Sequence, residues 1–267
     1  MRQPFFVVGL MRSGTTLLYR LLVDHPRIAL TNEARVVDFL AQCCRHAAVP
    51  FLDVEECDFI APVELHGLVQ AEHTDLFAEV FRKHAVAALE EFYARRFAGK
   101  QFTHWGEKLP SAQAAIELQS VYPHARYVIL VRDPRDGWCS FDDYREREQV
   151  PPALLEHTPE RYGRTWTNVH ANLEKYLEHR LSVRYEDLVR APRRVVGEVL
   201  DFLGLDGADE LVRALDTERS FTGHGSSRSP AASIGRWRRD LDQATVAQIE
   251  RHADEAMRRR GYEPAGG

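Results

Sequence analysis

Gly9 and Gly14 follow the apolar run Phe5-Phe6-Val7-Val8 and precede a helical pattern that opens Thr15-Thr16-Leu17. A hydrophobic strand feeding a glycine loop and then a helix presents a ring of backbone N–H groups at a helix N-terminus, which is a cradle for phosphate. In a nucleoside triphosphatase the second glycine of such a loop is followed by lysine and then by serine or threonine, for the terminal phosphates and for magnesium. Here the residues are Thr15 and Thr16, and Arg12 stands beside the turn. A loop with the amides of Ser13, Gly14, Thr15 and Thr16 but no lysine suits a doubly ionised group that brings no magnesium, such as a phosphosulfate. Arg12 and the threonine hydroxyls would add donors. Without a ligand, the same pattern would simply close a strand-to-helix connection.

The wording Arg12-Ser13-Gly14-Thr15-Thr16-Leu17 resembles the sulfotransferases that use 3′-phosphoadenosine-5′-phosphosulfate (PAPS), and the tyrosylprotein branch most of all. The likeness continues through Thr31-Asn32-Glu33-Ala34-Arg35, Gly106-Glu107-Lys108-Leu109-Pro110, Tyr127 to Arg135, and Arg184-Tyr185-Glu186-Asp187-Leu188. Leu200 to Gly204 and Gly235-Arg236-Trp237 complete the series.

The resemblance implies transfer of a sulfuryl group from PAPS to a hydroxyl by in-line displacement, releasing 3′,5′-ADP and using no metal. It points to Glu33 as the base, although a carboxylate there would also suit a helix N-terminus. Lys108 stands where the tyrosylprotein and carbohydrate branches carry lysine and the cytosolic aromatic-alcohol enzymes carry histidine. A cation at that position stabilises leaving-group charge and is a poor base, so Lys108 and Arg12 join Glu33 as the catalytic set. His104 is a fallback base.

Arg132 and Ser140 lie eight residues apart, with Pro134 opening a helix between them, which matches the family's 3′-phosphate site. A salt bridge from Arg132 to Asp133 or Asp136 is the alternative. Tyr185 corresponds to the tyrosine near adenine, or is an aromatic packed at a strand end. Near the C-terminus, Ser227 (or Ser226), Arg228 and Arg236 are the groups available to close over the nucleotide, although the cytosolic Arg-Lys-Gly spacing is not reproduced.

These residues need a scaffold that gathers them. Short aliphatic runs alternating with helical patterns predict a three-layer α/β sandwich around a parallel sheet, with a P-loop-like strand-loop-helix unit. Strands are expected near 4–9, 101–105, 126–131 and 181–184. Helices are expected over 14–24, 33–47, 74–97, 111–122, 134–147, 159–179, 192–203 and 244–260. The loop at Gly9, the segment around Lys108, Arg132 and Tyr185 each then follow an expected strand, at the end of the sheet where ligands collect. Residues 48–72 read as an insertion and 222–230 as a polar loop, either of which could act as a lid. Trp105, Trp138, Phe141 and Tyr144 are candidates for an acceptor pocket or for core.

No linker divides the 267 residues, so one domain over 1–267 is expected. Apolar content of 44% and charged content of 28% fit an ordinary globular protein without a membrane span. The immediate entry into a strand leaves no room for a signal peptide, and Cys43, Cys44, Cys57 and Cys139 lack zinc spacing, so a cytoplasmic protein with reduced thiols is expected. A net charge of −5 argues against a nucleic-acid partner. The acceptor is expected to be a small-molecule, lipid or carbohydrate hydroxyl in preference to a peptide tyrosine, and a homodimer is compatible with these readings. The competing functions are a P-loop nucleotide kinase, which would need lysine at position 15 and a magnesium-binding aspartate after residue 131, and a non-catalytic nucleotide-binding protein.

Overall fold

The computed structural model describes residues 2–37, 39, 71–109, 111–148, 158–206, 227 and 229–265. In these residues five parallel strands form one sheet: β1 (Gln3–Gly9), β2 (Ile28–Asn32), β3 (His104–Lys108), β4 (Arg126–Val131) and β5 (Arg180–Arg184), in the order β2-β3-β1-β4-β5. The helices are α1 (Thr15–Leu22), α2 (Ala71–Arg96), α3 (Ala112–Val121), α4 (Pro134–Arg147), α5 (Pro159–Tyr176), α6 (Tyr185–Arg190), α7 (Pro192–Leu203), α8 (Trp237–Asp240), α9 (Gln243–Glu250) and α10 (Asp254–Arg259). None of the described helices is long and apolar enough to cross a membrane.

Strand alternation explains the three layers, because successive side chains point to opposite faces of a sheet. Phe6 and Val8 of β1, with Tyr127 and Ile129 of β4, pack beside Trp105, Leu118 of α3 and Trp166 of α5. Phe5, Val7, Val128 and Leu130 pack on the other side against Leu18 and Leu22 of α1 and Val196 and Leu200 of α7. The central strands are therefore apolar on both faces, as a parallel sheet covered by helices requires. The expected α/β three-layer fold is the one observed.

Neighbouring strands leave β1 in opposite directions, so a crevice opens beyond its carboxyl end, where ligands bind in sheets of this kind. Two expectations need correction, and some elements fall where none is expected. The strand placed at 101–105 runs over His104–Lys108, which makes Lys108 its last residue; β2 and α6 were not anticipated. The helix expected over 244–260 is broken into α9 and α10 around Arg251–Ala253. The segment 48–72 and most of the helix 33–47 fall largely outside the described residues.

Candidate active site

The loop after β1 has the geometry its glycines suggested. Ser13 N–H donates to the Leu10 carbonyl at 3.1 Å, and Gly14 adopts a left-handed φ of 98° before α1 begins at Thr15. A left-handed residue with a Cβ costs roughly 1–2 kcal/mol, and here the added Cβ would also come within 2.3 Å of the Tyr185 ring. The φ favours glycine, and the close approach of the Tyr185 ring requires it. The Leu17 and Leu18 amides donate to the Gly14 carbonyl, which leaves the amides of Gly14, Thr15 and Thr16 at the N-terminus of α1 for a ligand.

Arg12 takes a left-handed φ of 69° and donates from Nε to Ser140 Oγ at 3.1 Å, which ties the loop to α4. Arg132, just past β4, donates from Nη1 to the Arg12 carbonyl at 3.0 Å and from Nη2 to the Ser233 carbonyl at 2.8 Å. Its guanidinium carbon lies 4.4 Å from the centre of the Tyr185 ring, and the Tyr185 hydroxyl pairs with Ser233 Oγ at 2.7 Å. Trp166 Nε1 donates to the Arg132 carbonyl at 2.9 Å from beneath. Burial, then the charges of Arg132 and Arg147, lower the Arg12 pKa. Like charges are thus gathered at this wall, as an anion site needs.

Among the described residues, two buried polar atoms of the wall, Ser13 Oγ and Arg132 Nε, have no protein hydrogen-bond partner. A buried donor without an acceptor costs about 1–3 kcal/mol. Together with the lysine-free amide cradle, these atoms fit a nucleotide carrying two anionic groups. Asp133 pairs with Arg135 (2.7 Å), not with Arg132. Asp136 accepts from the amides of Gly235 and Trp237, and burial, then Asp133, pushes its pKa up to about 6. That carboxylate fastens the C-terminal segment carrying Ser233 to α4.

On the other side of β1, Glu33 follows β2 and accepts a hydrogen bond from Lys108 Nζ. The Glu33 N–H donates to the Lys108 carbonyl at 3.1 Å. Side-chain exposure is 8% for Lys108 and 47% for Glu33, so the ammonium is sheathed and the carboxylate reaches solvent. Glu33 (φ 47°) and Arg35 (φ 59°) are both left-handed non-glycine residues. Such strain, on the order of 1–3 kcal/mol per residue, persists where the surroundings enforce it and concentrates at functional sites.

The structure brings Arg12, Ser13, Gly14, Thr15, Thr16, Arg132, Ser140 and Tyr185 to the ends of β1, β4 and β5, and sets Glu33 and Lys108 at the ends of β2 and β3. Arg236 donates to Asp143 and Asp240, each at 2.6 Å, and to Ser227 Oγ at 3.1 Å, so carboxylates already balance its charge. Arg228 and Ser226 lie outside the described residues. His104 opens β3 at the opposite end of the sheet, bonded to Thr103 and Gln3, which removes it as a fallback base. Trp105, Trp138 and Phe141 are buried in aromatic clusters and belong to the core, whereas Tyr144 lies 5.3 Å from the Arg12 guanidinium. Cys139 is a buried free thiol, pushed up to about 12 by burial. Sequence reasoning missed Ser233, whose only clue was its place two residues before the Gly235-Arg236-Trp237 motif.

Residues 4–210 match the Sulfotransferase family. Nodulation protein NoeE of Sinorhizobium fredii is 27% identical over 226 residues, 76% of this chain and 50% of that protein. Protein-tyrosine sulfotransferase 1 of Danio rerio is 24% identical over 78% of this chain and 54% of its own length. The chain spans about half the length of these curated relatives. Among solved structures, the sulfotransferase domain of the Synechococcus PCC 7002 olefin synthase superposes with a TM-score of 0.55 at 23% identity, covering 94% of this chain and 95% of that domain. Mouse sulfotransferase SULT7A1, solved in complex with PAP, gives a TM-score of 0.54 at 15% identity over 96% of this chain and 85% of its own. These structural likenesses establish the fold, and the family match extends across most of the sequence, so the chain belongs to the sulfotransferase family.

Proposed function

We propose that this sulfotransferase takes its sulfuryl group from PAPS, passes it to a hydroxyl acceptor by in-line displacement without a metal ion, and works as one domain. The observation that carries this reading is the amide cradle with Thr15 in place of the Walker lysine, backed by a buried arginine, Arg132, in the same wall. When bound, PAPS supplies an activated sulfuryl group with a phosphate as leaving group. The acceptor supplies the attacking hydroxyl, and the chain positions both and takes up the proton.

In this reading the amides of Ser13, Gly14, Thr15 and Thr16, with Arg12, hold the charge of the 5′-phosphosulfate. Arg132 and Ser140 select the 3′-phosphate through charge-assisted hydrogen bonds, and Tyr185 borders the adenine. Ser227 and Ser233 close this side from the C-terminal segment, while Arg236 braces that segment through Asp143 and Asp240. Lys108 donates toward the oxygen on which leaving-group charge develops. Glu33 receives the proton of the acceptor hydroxyl at a carboxylate oxygen. Because Lys108 pairs directly with Glu33, engaging the lysine on the donor releases the carboxylate for its work as base. The acceptor is assigned to the class of small-molecule, lipid or carbohydrate hydroxyls.

Calorimetric titration with 3′,5′-ADP, set beside turnover of labelled PAPS against a panel of hydroxylated acceptors, tests this proposal. Binding of 3′,5′-ADP and turnover that survives EDTA are expected. Tight binding of magnesium ATP, with no affinity for 3′,5′-ADP, would overturn the assignment.

A further inference from the structure

Glu107 has no place in the mechanism above, yet it is a carboxylate with 0% exposure in the middle of a fold. It sits on β3 between Phe6 of β1 and Thr31 of β2 in the strand register. Alternation along β3 sends Glu107 to the face shared with Trp105, opposite the face of Lys108. A carboxylate carried into such surroundings must be matched by donors. One of them is the backbone N–H of Arg35, which donates to Glu107 Oε1 at 3.0 Å.

That hydrogen bond closes a bracket. Glu33 and Arg35 are the two left-handed residues of the bend after β2, and each backbone N–H is taken by the end of β3. Glu33 N–H donates to the Lys108 carbonyl, and Arg35 N–H to the Glu107 carboxylate. The adjoining backbone is braced as well. Tyr93 of α2 donates from its hydroxyl to the Gly106 carbonyl at 2.8 Å and pairs at 2.8 Å with Thr31 Oγ1, one residue before Asn32 closes β2.

We propose that Glu107 is a positioning residue, whose side chain acts as the backbone clamp that holds the 32–35 bend and thereby aims the Glu33 carboxylate at Lys108. This rests on reading Glu33 as the base. The clamp needs an oxygen acceptor at the full length of the side chain, and it does not need a charge. Glu107→Gln keeps an oxygen acceptor at the full length of the side chain and cannot be charged. Glu107→Asp keeps a carboxyl group and withdraws it by one methylene.

Steady-state kinetics with PAPS, calorimetry with 3′,5′-ADP and amide hydrogen exchange test the two variants together. Glu107→Gln is expected to keep kcat within about threefold, while Glu107→Asp loses about 10- to 100-fold in kcat, the size of the penalty for leaving the buried Arg35 amide without its acceptor. Both should bind 3′,5′-ADP within about threefold of the parent, because the cradle follows β1 and the bend follows β2, with β3 between them. The Arg35 amide should be protected in the parent and in Glu107→Gln, and exposed in Glu107→Asp. Parent-like kcat in Glu107→Asp, equal losses in both variants, or nucleotide affinity falling in step with kcat would each overturn the clamp. The exchange measurement needs neither turnover nor a refolded variant, and an unprotected Arg35 amide in the parent also overturns it. Failure of the parent to bind 3′,5′-ADP would instead sink the assignment of PAPS as donor.

Discussion

The two sides of the site are built to different standards. The cradle side is cross-braced and buried: Arg132 reaches the carbonyls of Arg12 and Ser233, Trp166 supports Arg132 from below, and Tyr185 packs on Gly14 while bonding Ser233. On the carboxylate side the bracing stops at the backbone: the bend of left-handed residues is held by the end of β3, while the Glu33 side chain is half exposed and pairs with Lys108 on the adjacent strand end. Binding anions calls for preorganised donors that do not move, whereas proton transfer calls for one group that meets its substrate and can be released from a partner. The asymmetry matches that division of labour.

The largest effect that would sharpen this contrast is expected from Glu33→Gln. The amide cannot accept the acceptor's proton, so turnover should fall by about 10³-fold, in the range usual for a general base. Affinity for 3′,5′-ADP should hold within a few fold, measured by calorimetry. A variant that turns over at the parent rate would falsify the role of Glu33 and erase the functional difference between the two sides.

Arg132→Ala should invert the pattern. Loss of a charge-assisted contact made only to the 3′-phosphate predicts a roughly 100-fold weaker 3′,5′-ADP, with 5′-AMP weakened far less. Equal losses for both nucleotides would mean that Arg132 serves mainly to brace the Arg12 and Ser233 carbonyls. Ser140→Ala removes a neutral hydroxyl that also receives Arg12 Nε, and a smaller loss of about tenfold is expected in the same titration. A loss as large as that of Arg132→Ala would make the Arg12–Ser140 bond, and not the ligand contact, the governing interaction.

The same asymmetry decides what the sequence reveals. Two short segments make up most of the cradle side, so Gly9 with Gly14 and the Arg132-to-Ser140 interval each carry their local geometry in their spacing. Ser233 meets Arg132 across 101 residues of chain, and no local pattern encodes that meeting. The carboxylate side was harder for a physical reason. Gly106-Glu107-Lys108 is a polar, charged end to a strand buried at every residue, and composition alone assigns such a triplet to a loop. The strand was therefore placed three residues too early. Ile28–Asn32 was missed because five residues between two helical patterns give too short an apolar run to declare a strand. In the last helix, the apolar periodicity of Val246, Ile249, Ala253, Ala256 and Met257 continues across the break at Arg251–Ala253, so the period concealed the interruption.

The smallest expected effect concerns the ground beneath the cradle. His170 of α5 is buried, its two ring nitrogens lack hydrogen-bond partners among the described residues, and its ring lies 5.0 Å from that of Trp166, the residue that holds the Arg132 carbonyl. Burial, then the charge of Arg260, lowers its pKa from 6.5 to about 3. In the unfolded chain the imidazole takes a proton near pH 6.5, while the folded chain resists until about pH 3. Between those values the unfolded state binds more protons, so the stability contributed by neutral His170 is complete above pH 6.5 and drains away as pH falls, at up to about 1.4 kcal/mol per unit. His170→Phe removes this proton linkage and replaces a ring with unpaired nitrogens by an apolar one. The melting temperature of the variant relative to the parent should rise progressively from pH 7 to pH 5, by a few degrees for a loss of about 1–2 kcal/mol in a domain of this size. A difference that does not change with pH would show that His170 finds a proton partner in solution, and that the wall under Arg132 is wetter than the carboxylate side it is contrasted with.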